Sequence, residues 1–364
     1  GCAEDIGENA AILPNGQCDD PYTVPNINRT HCIYPQRIDV GKHFLLTGGP
    51  DAIRENIKDM TSRVQSFARY LTGASLEKYS IIKELFYSDK FMKAAQTICP
   101  ADQQVLDPFQ FTVLIQIPGQ TVATHLDAPY FWGAGRCNIP QWLLASMKFS
   151  GLFEDIFINQ VQVVSYLHDW QPKDKPGVGS DFIYYLNKDG VLGSLMPEPL
   201  SGNLVDGSKV VHAATIYYPD RQAPFLDKDQ FIQLEYAGDE QWDVVNKENG
   251  QRLGTYASDE LRISLVYRDK CFKSEEDAER YKTYPLLSAD SILEVFARDL
   301  VAKGVYAHVD DLLQMSKLKF GMIIMEHYVK YPLPSLKEAL IPFNYCALTN
   351  QMPWTNSFLK YVCA

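Results

Sequence analysis

The stretch that decides the fold is Gln110 to Arg136, QFTVLIQIPGQTVATHLDAPYFWGAGR. It opens as an apolar run from Phe111 to Ile117, turns at Pro118-Gly119, and resumes as a second strand-like run that ends in His125-Leu126-Asp127. In a strand, side chains two apart share a face, so an imidazole and a carboxylate at this spacing can grip one ion from the rim of a sheet. The expected third ligand is His212.

A His-x-Asp tripeptide is weak evidence alone in a chain with seven histidines, and a second one, His308-Val309-Asp310, is present. Context separates the two. His125 follows strand chemistry (TVLIQI, then TVATH), whereas His308 lies between stretches of helical period. There Asp310 reads as a first-turn acid favoured by the helix dipole. Two histidines and one carboxylate are also the set that leaves three positions open on an iron ion.

Outward from this stretch, composition sets the broad class. The chain has 364 residues, 46% hydrophobic and 22% charged, as in ordinary globular proteins. The formal charge of -11 is spread along the sequence without a basic patch, so nucleic acid is not an expected partner. No apolar run approaches the roughly 18 residues of a membrane span. None of the eight cysteines forms Cys-x-x-Cys, which argues against a structural zinc site. Cys2, Cys18 and Cys32 crowd one end and Cys346 and Cys363 the other, a pattern that permits disulfides at both. With the glycosylation tripeptide Asn28-Arg29-Thr30, this tilts the expected location toward the secretory pathway over the cytoplasm.

Residues 1–50 carry Pro14, Asn15-Gly16, Pro21, Pro25, Pro35 and Gly48-Gly49-Pro50 with little periodicity, and read as an irregular N-terminal arm. Residues 51–364 read as one domain, with helices over 51–100, a β core over 105–270 and C-terminal helices over 275–345. The spacing of Ile53, Ile57, Met60, Val64, Phe67 and Leu71 predicts an amphipathic helix closed by Gly73. Leu76 to Ile98 predicts one or two more. The expected strands are Gln160 to Leu167, Asp181 to Leu186, Gly202 to Val205, Ser208 to Ala213, Phe231 to Tyr236 and Leu261 to Tyr267. Asp189-Gly190 and Asp206-Gly207 mark turns. Two helices after Lys273 end at Pro332-Leu333-Pro334.

Three features line up in chain order: His125-x-Asp127 at a strand end, His212 in a late strand, and Arg262-Ile263-Ser264 in the last strand. Over roughly Phe111 to Arg268 this resembles the Fe(II)- and 2-oxoglutarate-dependent dioxygenase superfamily. The resemblance implies an α+β fold with a double-stranded β-helix, or jelly-roll, core between flanking helices. It makes His125, Asp127 and His212 the iron ligands, and Arg262 with Ser264 the holders of the distal carboxylate of 2-oxoglutarate. The insertion that includes Ala237 to Gly254 departs from the family's short hairpin, and Arg221, nearer His212, is the alternative anchor.

The resemblance further implies oxidative decarboxylation of 2-oxoglutarate with O2 and hydrogen abstraction from a substrate carbon, with hydroxylation the default outcome. A carboxylate at Asp127 points away from halogenation, because iron halogenases carry a small residue there. A small-molecule substrate, amino-acid-derived among the options, is the first expectation. The alternatives are desaturation or oxidative cyclisation as in kainoid synthases, hydroxylation of a protein side chain, and a noncatalytic β-sandwich binding protein. On the substrate side the candidates are Tyr130, Phe131, Trp132 and Arg136 in the loop after Asp127, and Tyr184, Asn203, Gln116 and Gln162 on strands.

Overall fold

The computed structural model describes residues 13–16, 24–25, 32–33, 62–71, 79–175, 177–186, 192–227 and 230–330. The two-residue strands β1 (Val24–Pro25) and β2 (Cys32–Ile33) pair with each other. They are followed by β3 (Phe67–Leu71), α1 (Ser80–Phe86), α2 (Asp89–Gln96) and β4 (Val105–Gln116). Next come β5 (Tyr130–Phe131), α3 (Gln141–Ser150), β6 (Phe157–Ile158), β7 (Gln160–Tyr166), β8 (Phe182–Tyr185), β9 (Leu192–Leu195), β10 (Gly202–Val205) and β11 (His212–Ala214). A meander of β12 (Ile232–Gly238), β13 (Gln241–Asn246) and β14 (Arg252–Ala257) precedes the long β15 (Arg262–Phe272). Four helices complete the described chain: α4 (Glu275–Lys282), α5 (Ala289–Ala302), α6 (Val309–Leu313) and α7 (Lys317–Tyr328).

The chain divides into two compact units, one of Gly1–Arg37, Leu126–Asn159 and Phe272–Tyr331, the other of Ile38–His125, Gln160–Cys271 and Pro332–Ala364. The second carries a five-stranded antiparallel sheet in the order β10-β7-β15-β4-β3 and a three-stranded sheet in the order β11-β8-β9. Residues 119–125 extend the smaller sheet beside β11. Their bonds run Gly119 N–H to Tyr217 O (2.6 Å), Tyr217 N–H to Gln120 O (2.8 Å) and Ala214 N–H to Val122 O (3.0 Å). Gly119 makes the turn into this segment at φ +96°, and a Cβ there would lie 2.5 Å from the Ala223 nitrogen.

Alternation divides the large sheet into two faces. Leu265 and Tyr267 of β15, Phe111 of β4 and Val163 of β7 pack with Leu71 and Phe86, and Ile82, Leu85, Phe91 and Met92 of α1 and α2 cover them. Fully burying each such side chain contributes about 1.5–3 kcal/mol. Val161 and Cys271 continue this face against Ala95 and Cys99, and a Cys99–Cys271 disulfide joins the chain just after α2 to the penultimate residue of β15. The other face is polar and carries Gln116, Tyr166, Arg262 and Ser264.

In the first unit α3 packs on α7, so closely that a Cβ on Gly321 would lie 2.8 Å from the Trp142 ring. Phe296 of α5 meets Phe153 and Tyr328 at ring-centroid distances of 5.6 and 4.9 Å. Among the described residues no helix is long and apolar enough to cross a membrane.

The structure corrects or extends the sequence reading in three places. Phe67 to Leu71 is a strand, not the end of a helix, with Phe67 opposite Ile115 and Leu71 opposite Phe111. A spacing of four keeps Phe67 and Leu71 on one side in either conformation, and pairing with β4 selects the extended one. The stretch read as an insertion folds as the β12-β13-β14 sheet, whose Val244 and Tyr256 pack with Ile117 and Leu261. Four C-terminal helices stand where two were expected, with exposed His308 at the N-cap of α6 and Asp310 in its first turn. The helix over 51–61, the Asp189-Gly190 and Pro332-Leu333-Pro334 breaks, Asn28-Arg29-Thr30, and Cys2, Cys18, Cys346 and Cys363 lie outside the described residues.

Candidate active site

The backbone brings the histidines together. His125 N–H donates to His212 O at 2.9 Å and His212 N–H to His125 O at 3.0 Å, an antiparallel bridge whose two residues directly face each other. Their ring centroids are 4.4 Å apart. Asp127 follows His125 by two residues, so the local chain fixes its place beside that histidine. One ligand atom from each of His125, Asp127 and His212 lies within 4.8 Å of the others, the only such grouping of three among the described residues.

Both imidazoles are held from behind. His125 Nδ1 lies 2.6 Å from Ala123 O and His212 Nδ1 lies 2.8 Å from Val210 O, each a carbonyl two residues back. A ring that donates from Nδ1 to a carbonyl keeps its Nε2 lone pair for a metal, and the contact fixes both tautomer and orientation. His212 is buried, the Phe182 ring lies 5.5 Å from it, and Tyr184 stands opposite it on β8.

The second cluster is centred on Arg262 of β15. Arg262 is 3% exposed and donates from Nη1 to Gln116 Oε1 (2.7 Å) and Ser264 Oγ (2.8 Å), and from Nη2 to Ser180 O (3.4 Å). All three acceptors are neutral. Among the described residues no carboxylate makes an ion pair with it, and Asp181 acts only from farther off. Burial lowers the guanidinium's pKa from its ordinary value. Leaving a buried charge without its counter-ion costs several kcal/mol, so such a fork asks for an external anion, and its planar geometry suits a carboxylate.

Aromatic packing positions this arginine. The guanidinium lies 5.1 Å from the Tyr166 ring centroid, and Asn203 Nδ2 donates to the Tyr166 hydroxyl at 2.8 Å. Behind it His168 stacks on Trp170 at 3.9 Å and Trp170 on Tyr217 at 5.5 Å, both with interplanar angles of 14°. Trp170 Nε1 donates to Leu261 O and the Tyr217 hydroxyl to Glu260 O, which ties the stack to the two residues before Arg262. Burial, with the Arg262 charge adding to it, pushes His168 down to about 4, so this ring is neutral near pH 7.

Arg221 is placed differently. It is exposed, pairs with Glu260, and lies 6.0 and 5.9 Å from the Tyr218 and Tyr256 ring centroids. Its charge is already matched at the surface.

Of the other sequence candidates, half-buried Tyr184 lies over Gly193, where a Cβ would sit 2.3 Å from the Tyr184 Cζ. Gln162 is buried in register with Arg268 and Val205. In the first unit Phe131 is fully buried against Phe153 and Phe157, and Trp132 packs on Tyr281 and Tyr284 with the Arg280 guanidinium 4.7 Å from its ring. Those two rings are occupied by packing. Tyr130 pairs with Ile158 in β5 and packs on Gly135, and Arg136 is half-buried in the loop that follows. Sequence reading missed Tyr166 and Ser180, although the register Ser264↔Tyr166 finds the first once the strand ends are known.

No family model matches the sequence, and no curated protein matches it. The solved structures it matches include 2-oxoglutarate–Fe(II) oxygenases and prolyl hydroxylases. One is a Pseudomonas putida prolyl-4-hydroxylase, with 12% identity, 58% of this chain and 74% of that chain covered, and a TM-score of 0.27. A second is a Trichoplax adhaerens prolyl hydroxylase in complex with a hypoxia inducible factor oxygen degradation domain peptide fragment, with 12% identity, 60% and 68% covered, and a TM-score of 0.31. A third is HygX from Streptomyces hygroscopicus with nickel, 2-oxoglutarate and hygromycin B bound, with 12% identity, 62% and 84% covered, and a TM-score of 0.30.

Proposed function

We propose that this protein is an Fe(II)- and 2-oxoglutarate-dependent oxygenase that hydroxylates a small-molecule substrate. The observation that carries the reading is the meeting of His125, Asp127 and His212 within 4.8 Å, with both Nδ1 atoms engaged by backbone carbonyls. Three hard-to-borderline donors on one side of an ion are the set that non-haem Fe(II) oxygenases use. Strand order supports it: the chain crosses repeatedly between a β10-β7-β15-β4 sheet and a sheet of β9, β8, β11 and residues 119–125, with β8 and β9 staying together in the second as a hairpin, as in a double-stranded β-helix.

His125, Asp127 and His212 would hold the iron, which when bound would supply the O2 activation that 2-oxoglutarate decarboxylation and hydrogen abstraction require. The chain's own residues do the positioning. Ala123 O and Val210 O hold the imidazoles as neutral Nε2 donors. Arg262, oriented by Gln116 and Ser264, takes the distal carboxylate of 2-oxoglutarate away from bulk water, where a charge-assisted pair is strongest. Tyr184 and Asn203 supply contacts on the substrate side. Desaturation and ring closure draw on the same residues and differ in where the substrate carbon is held. The Cys99–Cys271 bond supports an oxidising compartment.

The test is turnover without added substrate. Protein given Fe(II), 2-oxoglutarate and O2 should release succinate slowly, and His212→Ala should release none. Equal release from both proteins, or none from the parent when substrates of several classes are added, counts against the proposal.

A further inference from the structure

Two more cations lie on the polar face of β15. Arg268 and Lys270 are 4% and 6% exposed and share the face of Arg262, because even steps along a strand keep one side. Arg268 donates from Nη2 to Gln160 Oε1 (2.9 Å) and from Nη1 to Gln110 Oε1 (3.4 Å), and its guanidinium lies 5.3 Å from the Phe109 ring centroid. Lys270 Nζ lies 4.0 Å from the same centroid and 3.6 Å from the Asp107 carboxylate. The Nε2 of Gln160, itself 1% exposed, is buried and has no hydrogen-bond partner among the described residues. A buried N–H donor left unmade costs about 1–3 kcal/mol, so its position beside two cations points to an acceptor that completes the group.

This cluster belongs to the end of the sheet from which the metal ligand is delivered. Arg268 is in register with Gln162 and Gln162 with Val205, the last residue of β10. The turn that follows takes the chain to Val210, whose carbonyl faces His212 Nδ1, and its Asp206 carboxylate accepts from Gln160 N–H at 3.4 Å. Arg262 is six residues back along β15, about 20 Å of extended strand, so a keto acid held there is remote from Arg268.

We propose that the substrate is itself a carboxylate, bound by the fork of Arg268 with Gln160 Nε2 as a further donor and Lys270 as a second positive charge. This rests on the oxygenase reading for the reaction and deepens it by naming the substrate class. The guanidinium plane matches a carboxylate bidentately, and the Phe109 ring gives the adjoining carbon chain an apolar surface.

Hexanoate and hexanamide, which share a carbon chain and differ in charge, can be titrated by calorimetry under argon into protein holding Fe(II) and saturating 2-oxoglutarate. The parent should bind hexanoate at least about tenfold more tightly than the amide. That preference should vanish in Arg268→Gln and weaken in Lys270→Gln, while both variants keep the heat of 2-oxoglutarate binding that shows them folded. Should Arg268→Gln fail to fold, Arg268→Lys, which keeps the charge without the fork, should show a reduced preference. No preference in the parent, or a preference that survives intact in a folded Arg268 variant, overturns the proposal. Absence of 2-oxoglutarate binding in the parent instead strikes the oxygenase reading, and the hexanoate preference then decides the anion site by itself.

Discussion

His125 and His212 are a directly opposed, doubly hydrogen-bonded backbone pair, with N···O distances of 2.9 and 3.0 Å. The separation of the two proposed metal ligands is thus set by main-chain bonds that no side-chain substitution removes. His212→Ala should keep its fold, shown by an unchanged far-UV circular dichroism spectrum, while its Fe(II) dissociation constant rises by about 100-fold or more. Loss of fold together with loss of iron would make His212 a packing residue first.

Arg262→Leu should weaken 2-oxoglutarate severely, by about 2–5 kcal/mol, the usual loss when one partner of a buried charge pair is removed. Iron affinity should hardly change. Arg221→Leu should leave the keto acid alone, because its partner is surface Glu260. Titration of 2-oxoglutarate into both variants decides between them, and a large loss confined to Arg221→Leu would move the anchor off β15.

Gly179 has φ +67°, and a Cβ there would lie 2.1 Å from Ile216 O in the segment that follows β11. Gly179→Ala should lower stability by more than about 1 kcal/mol, since strain and a backbone clash add. Because Ser180 O is a partner of Arg262, 2-oxoglutarate affinity should fall as well. A melting temperature equal to the parent's would show that this corner of the sheet yields freely.

Burial, aided by the Asp107 charge and opposed by the hydrogen bond from Tyr267, raises Asp269 to about 7. Its folded value is thus above its ordinary one of 3.8, and between the two the folded protein holds a proton that the unfolded chain has released. Asp269 therefore makes stability fall as pH rises from about 4 through about 7. Asp269→Asn removes this contribution, so its urea midpoint should decline less than the parent's between about pH 5 and about pH 8. Parallel declines in the two proteins would show that Asp269 does not titrate in that window.

Much of this was legible in the residues. The His-x-Asp tripeptide, His212 and Arg-x-Ser stand in chain order, and valine-rich alternation marks Gln160 to Tyr166 and Asp-Gly the turn before His212. What stayed hidden depends on partners distant in the chain. Residues 119–125 gain extended structure from bonds to 212–217, and Phe67 to Leu71 is a strand only because β4 lies beside it. The β13 and β14 strands carry charged and polar residues on their exposed side and so show little apolar signal. The role of Phe131 and Trp132 was unreadable for a similar reason: an aromatic run looks alike whether it lines a pocket or packs on Phe153 and Tyr281.

The most direct measurement is an anaerobic titration of 2-oxoglutarate into protein loaded with Fe(II), followed by visible absorption. The parent should bind one equivalent of iron and then show the weak charge-transfer band of a chelated keto acid, saturating at one equivalent, and Asp127→Ala and His212→Ala should show no band. A parent that binds no iron, or an Asp127→Ala protein that forms the band with undiminished affinity, would contradict the assignment of this site.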